Sequence, residues 1–195
     1  YYAKQDAEKL SGKGDTSQKL TLMKTSADSL KKSADALNDS SLWGKKKIKK
    51  KDEKTGEEIE VEDYDWDKIT KAVKSFVEDY NDVVKEAGES NTKDVLRNAS
   101  WMTGMTDKNS NMLAKIGITI GKGNKLELDE DALKQADISS LKTVFTGYNS
   151  FVSKISQKAT GISNAANRAS ATYTNNGTYS KTDSSLTSSK IDKEV

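Results

Sequence analysis

The chain has 195 residues, with 32 Lys and Arg against 30 Asp and Glu, so its net charge is only +2 although 32% of its residues are charged. It contains no Cys, His or Pro. These absences exclude thiol and imidazole catalysis, disulfide bonds, and zinc or haem sites built on Cys or His. The balanced charge argues against a general nucleic-acid-binding protein, and no apolar run approaches the roughly 18 residues that a membrane span requires.

Three stretches repeat an apolar residue at alternating steps of three and four, the spacing of a coiled-coil seam. The absence of Pro agrees with long helices, because Pro inside a helix costs about 3 kcal/mol or more. We therefore predict a mainly α-helical fold, an elongated bundle of three long helices with two small β-hairpins. The seam residues predicted to pack are Leu20, Met23, Leu30 and Leu37 in the first helix, Ile69, Val73, Phe76 and Tyr80 in the second, and Tyr148, Val152, Ile155 and Ile162 in the third, whose pattern continues to Tyr173.

Alanine occupies several seam positions of the first and third helices, including Ala27, Ala34, Ala159 and Ala166. Alanine lets helices approach closely, but each one weakens its contact by about 2–3 kcal/mol relative to Leu in a packed site. We therefore expect neighbouring subunits to complete these seams.

A highly charged stretch, 44–66, separates the first two helical patterns. Lysines flank Ile48, and glutamates alternate with apolar residues over 57–62. We predict a β-hairpin that turns at Lys54-Thr55, with Trp43 and Trp66 packing it onto the end of the helices. Its predicted cross-strand pairs are Lys51 with Glu58, Lys49 with Glu60, Lys47 with Glu62, and Ile48 with Val61. Opposite charges in such pairs stabilise by about 0.2–1 kcal/mol each; the alternative is that the lysines form a nucleic-acid or lipid patch.

Shorter elements follow the second helix. We predict a short helix over 92–105, a second hairpin over 113–128, and a short helix over 130–135 capped by Asp129. The inward residues of the first of these helices are predicted to be Val95, Leu96, Ala99 and Met102. A further helical segment over 141–145 leads into the third long helix.

The predicted organisation has four parts. Residues 1–43 form an N-terminal core helix segment, 44–66 a charged hairpin insertion, 67–173 a C-terminal helical segment, and 174–195 a flexible tail rich in Ser and Thr. Because the sequence begins with Tyr rather than Met, we expect a fragment or a processed form.

None of the candidate sites in the sequence is predicted to be catalytic. Asp63, Asp65 and Asp67 have the spacing that opens a calcium loop, but Lys68 stands where that loop needs Gly and Lys74 where it needs Glu. An acidic helix start explains these aspartates better. Glu127 and Asp129, together with the turn over 121–124, suit a hairpin and fit neither a glycosidase pair nor a phosphate loop. We predict no catalytic residue, no metal site and no cofactor.

Several phrases, taken in order, resemble one known family. They are V-K-S-F-V-E-D-Y-N (73–81), V-L-R (95–97), N-M-L-A-K-I-G-I-T (111–119), N-K-L-E-L-D-E (124–130) and V-F (144–145). This order resembles the C-terminal conserved part of the flagellar filament-capping proteins, the hook-associated protein 2 family. The stretch S-A-D-S-L-K-K-S-A-D-A-L (26–37) looks like the N-terminal core helix of that family.

The resemblance implies a structural, non-enzymatic protein that sits at the distal end of the flagellar filament and promotes flagellin assembly. It implies an oligomeric ring, contacts with flagellin or other axial proteins, no nucleic acid and no membrane insertion. The implied location is the extracellular flagellum, reached without a cleaved signal peptide. Two departures are that only the Lys/Glu hairpin fills the place of the large β-rich domains of the family, and that Asn124 stands where the family has Asp-Gly.

Two other functions remain open from the sequence. One is another flagellar axial subunit, flagellin-like or a junction protein. The other is a non-flagellar surface adhesin or adaptor built on a coiled coil.

Overall fold

The computed structural model describes residues 14–52 and 54–171. The helices are α1 (Ser17–Asn38), α2 (Trp66–Gly88), α3 (Lys93–Lys108), α4 (Ser110–Ala114), α5 (Glu130–Gln135), α6 (Ile138–Phe145) and α7 (Phe151–Ala171). The strands are β1 (Lys45–Lys51), β2 (Glu58–Tyr64), β3 (Ile118–Ile120) and β4 (Leu126–Leu128), and a 3₁₀ turn spans Ser40–Trp43. The predicted fold class, mainly helical with two small antiparallel hairpins, is confirmed.

Four helices surround the core. α1 packs along α7 and along α2, and α3 contacts these same two helices. The sequence predicts three long helices, and they are α1, α2 and α7, with 22, 23 and 21 residues. α3, with 16 residues, forms the fourth wall.

Aspartates begin two of the helices. Asp129 accepts hydrogen bonds from the amides of Asp131 and Ala132 at 3.0 and 2.9 Å, so its predicted role as the cap of α5 is confirmed. Asp65 accepts from the amide of Lys68 at 3.1 Å at the start of α2. The structure thus uses Asp65 as a helix cap, in agreement with the acidic helix start predicted there.

The first hairpin has the predicted register. Lys47 lies opposite Glu62, Lys49 opposite Glu60, Lys51 opposite Glu58, and Ile48 opposite Val61. In the turn, the carboxylate of Asp52 accepts from the amides of Lys54 and Thr55 at 2.7 and 3.2 Å, and Gly56 adopts a φ of 74°.

The second hairpin is shorter than predicted. β3 begins at Ile118, and the prediction of a strand from Leu113 is wrong because Leu113 belongs to α4. The carbonyl of Asn109 accepts from the amides of Met112 and Leu113 at 3.0 Å, which closes a helical turn there.

The third long helix begins later than its heptad pattern suggests. The hydroxyl of Ser150 accepts from the amide of Ser153 at 3.2 Å, and the helix starts at Phe151. Gly147, with a φ of 100°, turns the chain just before this start. Tyr148 therefore lies in the loop, and its predicted place on the helix seam is wrong.

Helix α3 buries Val95, Ala99 and Met102 as predicted. The inward position predicted for Leu96 is wrong, since this side chain is 38% exposed. It lines an outer groove between α2 and α3.

Tyr173 and the predicted tail over 174–195 lie outside the described residues. Within 14–52 and 54–171, no helix has both the length and the apolar character to cross a membrane.

Candidate assembly surfaces

The apolar seams meet inside one chain. Eleven of the twelve predicted seam residues are at most 2% exposed, and the exception is Tyr148 at 81%. The expectation that neighbouring subunits complete these seams is therefore wrong for α1, α2 and α7. The alanines of α1 and α7, such as Ala27 and Ala159, are buried because the two helices pack against each other.

Two hydroxyl–carboxylate pairs join α1 to α7. Ser163 donates to Asp28 at 2.6 Å, and Ser156 donates to Asp35 at 2.7 Å. The partners are seven residues apart on both helices, so each set lies on one stripe beside the apolar seam. These pairs fix which turn of α7 meets which turn of α1, a choice that the small alanines leave loosely specified.

Both carboxylates also pair with a lysine one turn earlier on α1. Lys24 donates to Asp28 at 2.6 Å, and Lys31 donates to Asp35. The hydrogen bonds that Asp28 accepts from Lys24 and from Ser163 lower its pKa. Burial alone would raise the pKa of Asp35, but the hydrogen bonds from Lys31 and Ser156 outweigh burial and lower this pKa. Both groups are therefore charged at neutral pH.

An aromatic cluster fills the end of the bundle nearest the first hairpin. The ring of Phe76 lies 6.5 Å from Phe145 and 6.3 Å from Phe151, edge to face in both cases. Trp43 stacks on Phe145 at 5.4 Å, and its indole nitrogen donates to the carbonyl of Leu37 at 2.8 Å. The predicted packing role of Trp43 is thus confirmed, and Phe76 joins α2, α6 and α7.

The neighbouring Tyr-Asn pair of α2 joins two further elements. The hydroxyl of Tyr80 donates to Thr106 of α3 at 2.9 Å, and burial raises the pKa of Tyr80 to about 12. The amide of Asn81 donates to the carbonyl of Leu126 at 2.9 Å and accepts from its amide at 2.7 Å. Asn81 therefore satisfies both backbone groups of Leu126 on β4, as a neighbouring strand would.

Gly117 allows the second hairpin to contact α5 closely. Its φ is 79°, and a Cβ there would lie 2.7 Å from the carbonyl oxygen of Asp129 and 2.8 Å from the amide nitrogen of Leu133. Only glycine fits both the backbone conformation and the space.

A buried aspartate ties the start of α1 to the loop between α2 and α3. The carboxylate of Asp15 accepts from the hydroxyls of Ser90 and Thr92, both at 2.7 Å, and from the amides of Asn91 and Thr92 at 3.0 and 3.1 Å. The side chain of Asp15 is 0% exposed. Burial alone would raise the pKa of Asp15, but the hydrogen bonds from Thr92 and Ser90 outweigh burial and lower it.

The outer surface carries a groove between α3 and α7, with a volume of about 320 Å³. Trp101 and Tyr148 line it and are 46% and 81% exposed, while Met105 lies at its base. The ammonium of Lys158 lies 4.2 Å from the Trp101 ring centroid, a cation–π contact. An exposed apolar patch with a polar rim is typical of a protein-binding surface.

A second groove of about 380 Å³ lies between α1 and α2. Its wall consists of small residues and lysines, with Asp79 at one side. Burial, with repulsion from Asp82 and Glu78, raises the pKa of Asp79. The groove is open to solvent and brings together no set of groups suited to bond chemistry.

The first hairpin presents two different faces. The face with Lys45, Lys47, Lys49 and Lys51 on β1 and Glu58, Glu60 and Glu62 on β2 exposes all seven of these charged side chains, and the half-buried Tyr64 lies at its base, opposite Lys45. The opposite face carries Ile48 and Val61, which are half-buried, and Ile59, which is 41% exposed, together with Lys46 and the Lys50–Asp63 ion pair at 2.6 Å. The charged face therefore points into solvent. We name it the charged hairpin face.

Sequence reasoning missed several polar residues that join the elements, above all Asp15, Asp28 and Asp35. One signal could have found the last two: the tripeptide Ser-Ala-Asp occurs at 26–28 and again at 33–35, seven residues later. Within the described part of the chain, no group of three or more acidic side chains is arranged to hold a metal ion.

Residues 90–194, more than half of the chain, match the model of the family described as flagellar hook-associated protein 2 C-terminus. Among curated proteins and among solved structures, none matches the chain. Proteins of this family are structural rather than enzymatic, act in the flagellar filament cap, and lie outside the cell at the flagellum tip, where they associate with axial proteins. The chain belongs to the flagellar hook-associated protein 2 family and is a filament cap protein.

Proposed function

We propose that this chain supplies the helical body of the cap, contacts axial proteins through the groove between α3 and α7, and associates with further copies of itself. The observation that carries this proposal is the family match over residues 90–194, because all the residues that line this groove lie within that range.

The packing of the body supports contacts through outer surfaces. The seams of α1, α2 and α7 are filled within one chain, so they have no apolar face left to offer to a partner. We propose that α1 and α7 pair as a short antiparallel coiled coil, whose register is set by the Asp28–Ser163 and Asp35–Ser156 bonds.

The groove between α3 and α7, unlike the seams, exposes aromatic side chains that a partner could cover. Aromatic residues dominate binding at many protein interfaces, because they bury a large area with little loss of side-chain freedom. Trp101 on α3 and Tyr148 in the loop before α7 are aromatic and exposed, and both line this groove. A partner segment that covers them would bury apolar surface without any change in the body.

The experiment uses the bacterium that encodes this chain. Deleting the gene should release unpolymerised flagellin into the medium, and the full protein should restore filaments. Normal filaments and a clean medium after deletion would contradict the cap function for this chain.

A double variant, Trp101→Ala with Tyr148→Ala, tests the groove. We expect it to restore filaments less well than the native protein while melting at a similar temperature. Leu22→Ala is the matched control, since Leu22 is 51% exposed on α1, away from this groove. If the double variant restores filaments fully, the groove is not the contact surface.

Three points stay predictions: the division into 1–43, 44–66, 67–173 and 174–195, the oligomeric ring, and a role in cell adhesion. Adhesion predicts that the purified protein binds surfaces of host cells, and a native protein that fails to bind them would contradict it.

A further inference from the structure

The first hairpin forms a sheet of its own. Among the described residues, β1 and β2 pair only with each other, as a sheet of two strands. The hairpin is nevertheless well fixed at its base, where Tyr64 contacts the Trp66 ring edge to face at 6.3 Å and the Lys45 ammonium lies 5.8 Å from the Tyr64 ring centroid. A fixed hairpin can present its side chains in one defined arrangement.

Charge is separated into two columns on the charged hairpin face. Lys45, Lys47, Lys49 and Lys51 form a positive column along β1, and Glu58, Glu60 and Glu62 form a negative column along β2. Neighbouring strands lie about 4.8 Å apart, so the columns are close but distinct. The face as a whole is nearly neutral, yet it has a strong positive side and a strong negative side.

Pairing through the charged hairpin face brings opposite charges together. A second copy that faces the first, rotated by 180° about the long axis of the hairpin, places its negative column over the positive column of the first copy. The same rotation places its positive column over the negative one, so the contact is self-complementary.

The alternative two-fold arrangement is excluded by repulsion. Rotation about an axis across the strands would place lysines over lysines and glutamates over glutamates. Like charges facing each other destabilise an interface. The charge pattern therefore selects one axis of the two.

We propose that the charged hairpin face is a docking surface for the same face of a second copy of this chain. This inference rests on the self-association proposed above and names its surface. Because the contact is symmetric, it links copies in pairs, and any ring needs a further contact elsewhere. Exposed ion pairs are individually weak and are screened by salt, so the pairing is salt-sensitive.

The test exchanges the columns. In the variant Lys47→Glu, Lys49→Glu, Lys51→Glu, Glu58→Lys, Glu60→Lys, Glu62→Lys, each directly opposed pair and the diagonal pair of positions 49 and 58 keep one positive and one negative charge, so the hairpin itself keeps its internal pairing. This column-exchanged chain should still pair with itself. Between the native chain and the exchanged chain, however, like charges would face each other.

Native mass spectrometry at an ionic strength of about 0.05 M should show pairs of the native chain, pairs of the exchanged chain, and no mixed pairs after the two are combined and equilibrated. At about 0.5 M the pairs should dissociate, because the Debye length there is only about 4 Å. A mass tag on one chain distinguishes mixed pairs from pure ones.

The matched control exchanges an exposed ion pair on the body, Lys74→Glu with Glu130→Lys, whose charged atoms lie 3.4 Å apart. This variant should form mixed pairs with the native chain freely. If the column-exchanged chain also mixes freely with the native chain, the charged hairpin face is not the docking surface, although self-association stands. A native chain that stays single at low ionic strength overturns the docking surface, and the cap function is then judged separately by the release of flagellin.

Discussion

The helical body and the charged hairpin are specified by different forces. In the body, residues such as Met23, Leu30 and Phe76 are fully buried, and removal from water stabilises their packing. In the hairpin, the apolar residue Ile59 is 41% exposed, and the Lys49–Glu58 ion pair, at 3.6 Å, joins side chains that are 71% and 63% exposed. Ion pairs of this kind contribute only about 0–1 kcal/mol each to folding.

This difference separates residues that hold the fold from residues that are available to partners. The body uses its apolar and its buried polar groups internally, so changing them alters stability. The hairpin contributes exposed charges that the packing of the body does not use, so we expect their substitution to alter recognition rather than stability. Substitutions at matched positions in the two regions test this division.

The largest effect is expected in the aromatic cluster. Phe76→Ala should lower the free energy of unfolding by about 3–5 kcal/mol, because it removes a buried ring and leaves a cavity. Tyr148→Ala is the control, since Tyr148 is 81% exposed and its change should stay within about 0.5 kcal/mol. Denaturant unfolding followed by circular dichroism measures both. Equal losses for the two variants would contradict the central role of the cluster.

A smaller loss is expected at the buried aspartate of the body. Asp15→Asn should lower the free energy of unfolding at pH 7 by about 2–3 kcal/mol, because the amide has one acceptor oxygen for the hydroxyls and amides that the carboxylate now satisfies. Asp82→Asn is the control, since Asp82 is an exposed aspartate of α2.

The same aspartate predicts a pH dependence. The pKa of Asp15 is lowered in the folded chain from its ordinary value of 3.8, so its ionised form stabilises the fold above that pH. This contribution is lost as the pH falls below 3.8 towards the folded pKa. The difference in unfolding free energy between the native chain and Asp15→Asn should therefore shrink below that pH, and a constant difference from neutral pH to pH 2 would contradict the assignment.

A still smaller loss is expected where α2 meets β4. Asn81→Ala should lower the free energy of unfolding by about 1–2 kcal/mol, because the amide and carbonyl of Leu126 lose their partner. Hydrogen exchange should accelerate at the Leu126 amide more than at amides inside α1. An unchanged exchange rate at Leu126 would show that another group, or water, replaces the side chain.

These positions also show how much of the molecule the sequence predicts. Apolar periodicity predicts the buried stripes of α1, α2 and α7, because every seam position in a helix repeats at a fixed angle. Charge alternation predicts the register of the first hairpin, because opposed positions are counted outward from its turn. Both are local rules, and both work within about 20 residues of chain.

Local rules fail where a contact or a bend depends on distant chain. Asp15 meets Ser90, which is 75 positions away, and no spacing in the sequence indicates this partner. Tyr148 continues the heptad pattern, but Gly147 turns the backbone and the helix begins only at Phe151. The charged hairpin face is visible in the sequence as alternating charges, whereas the edge-to-face contact of Tyr64, at the base of that face, with Trp66 is not.

The smallest effect on stability is expected from removing the hairpin. A chain in which a two-residue turn joins Lys45 to Tyr64, in place of 46–63, keeps the contacts of Tyr64 with Trp66, and these two ends are already cross-strand neighbours. Its body should melt within a few degrees of the native chain, because the shortened loop closes at little cost and the core is untouched. The same chain should lose the salt-sensitive pairing. A large drop in melting temperature would instead mean that the hairpin stabilises the body. Residues of β1 and β2 would then have to be counted among those that hold the fold.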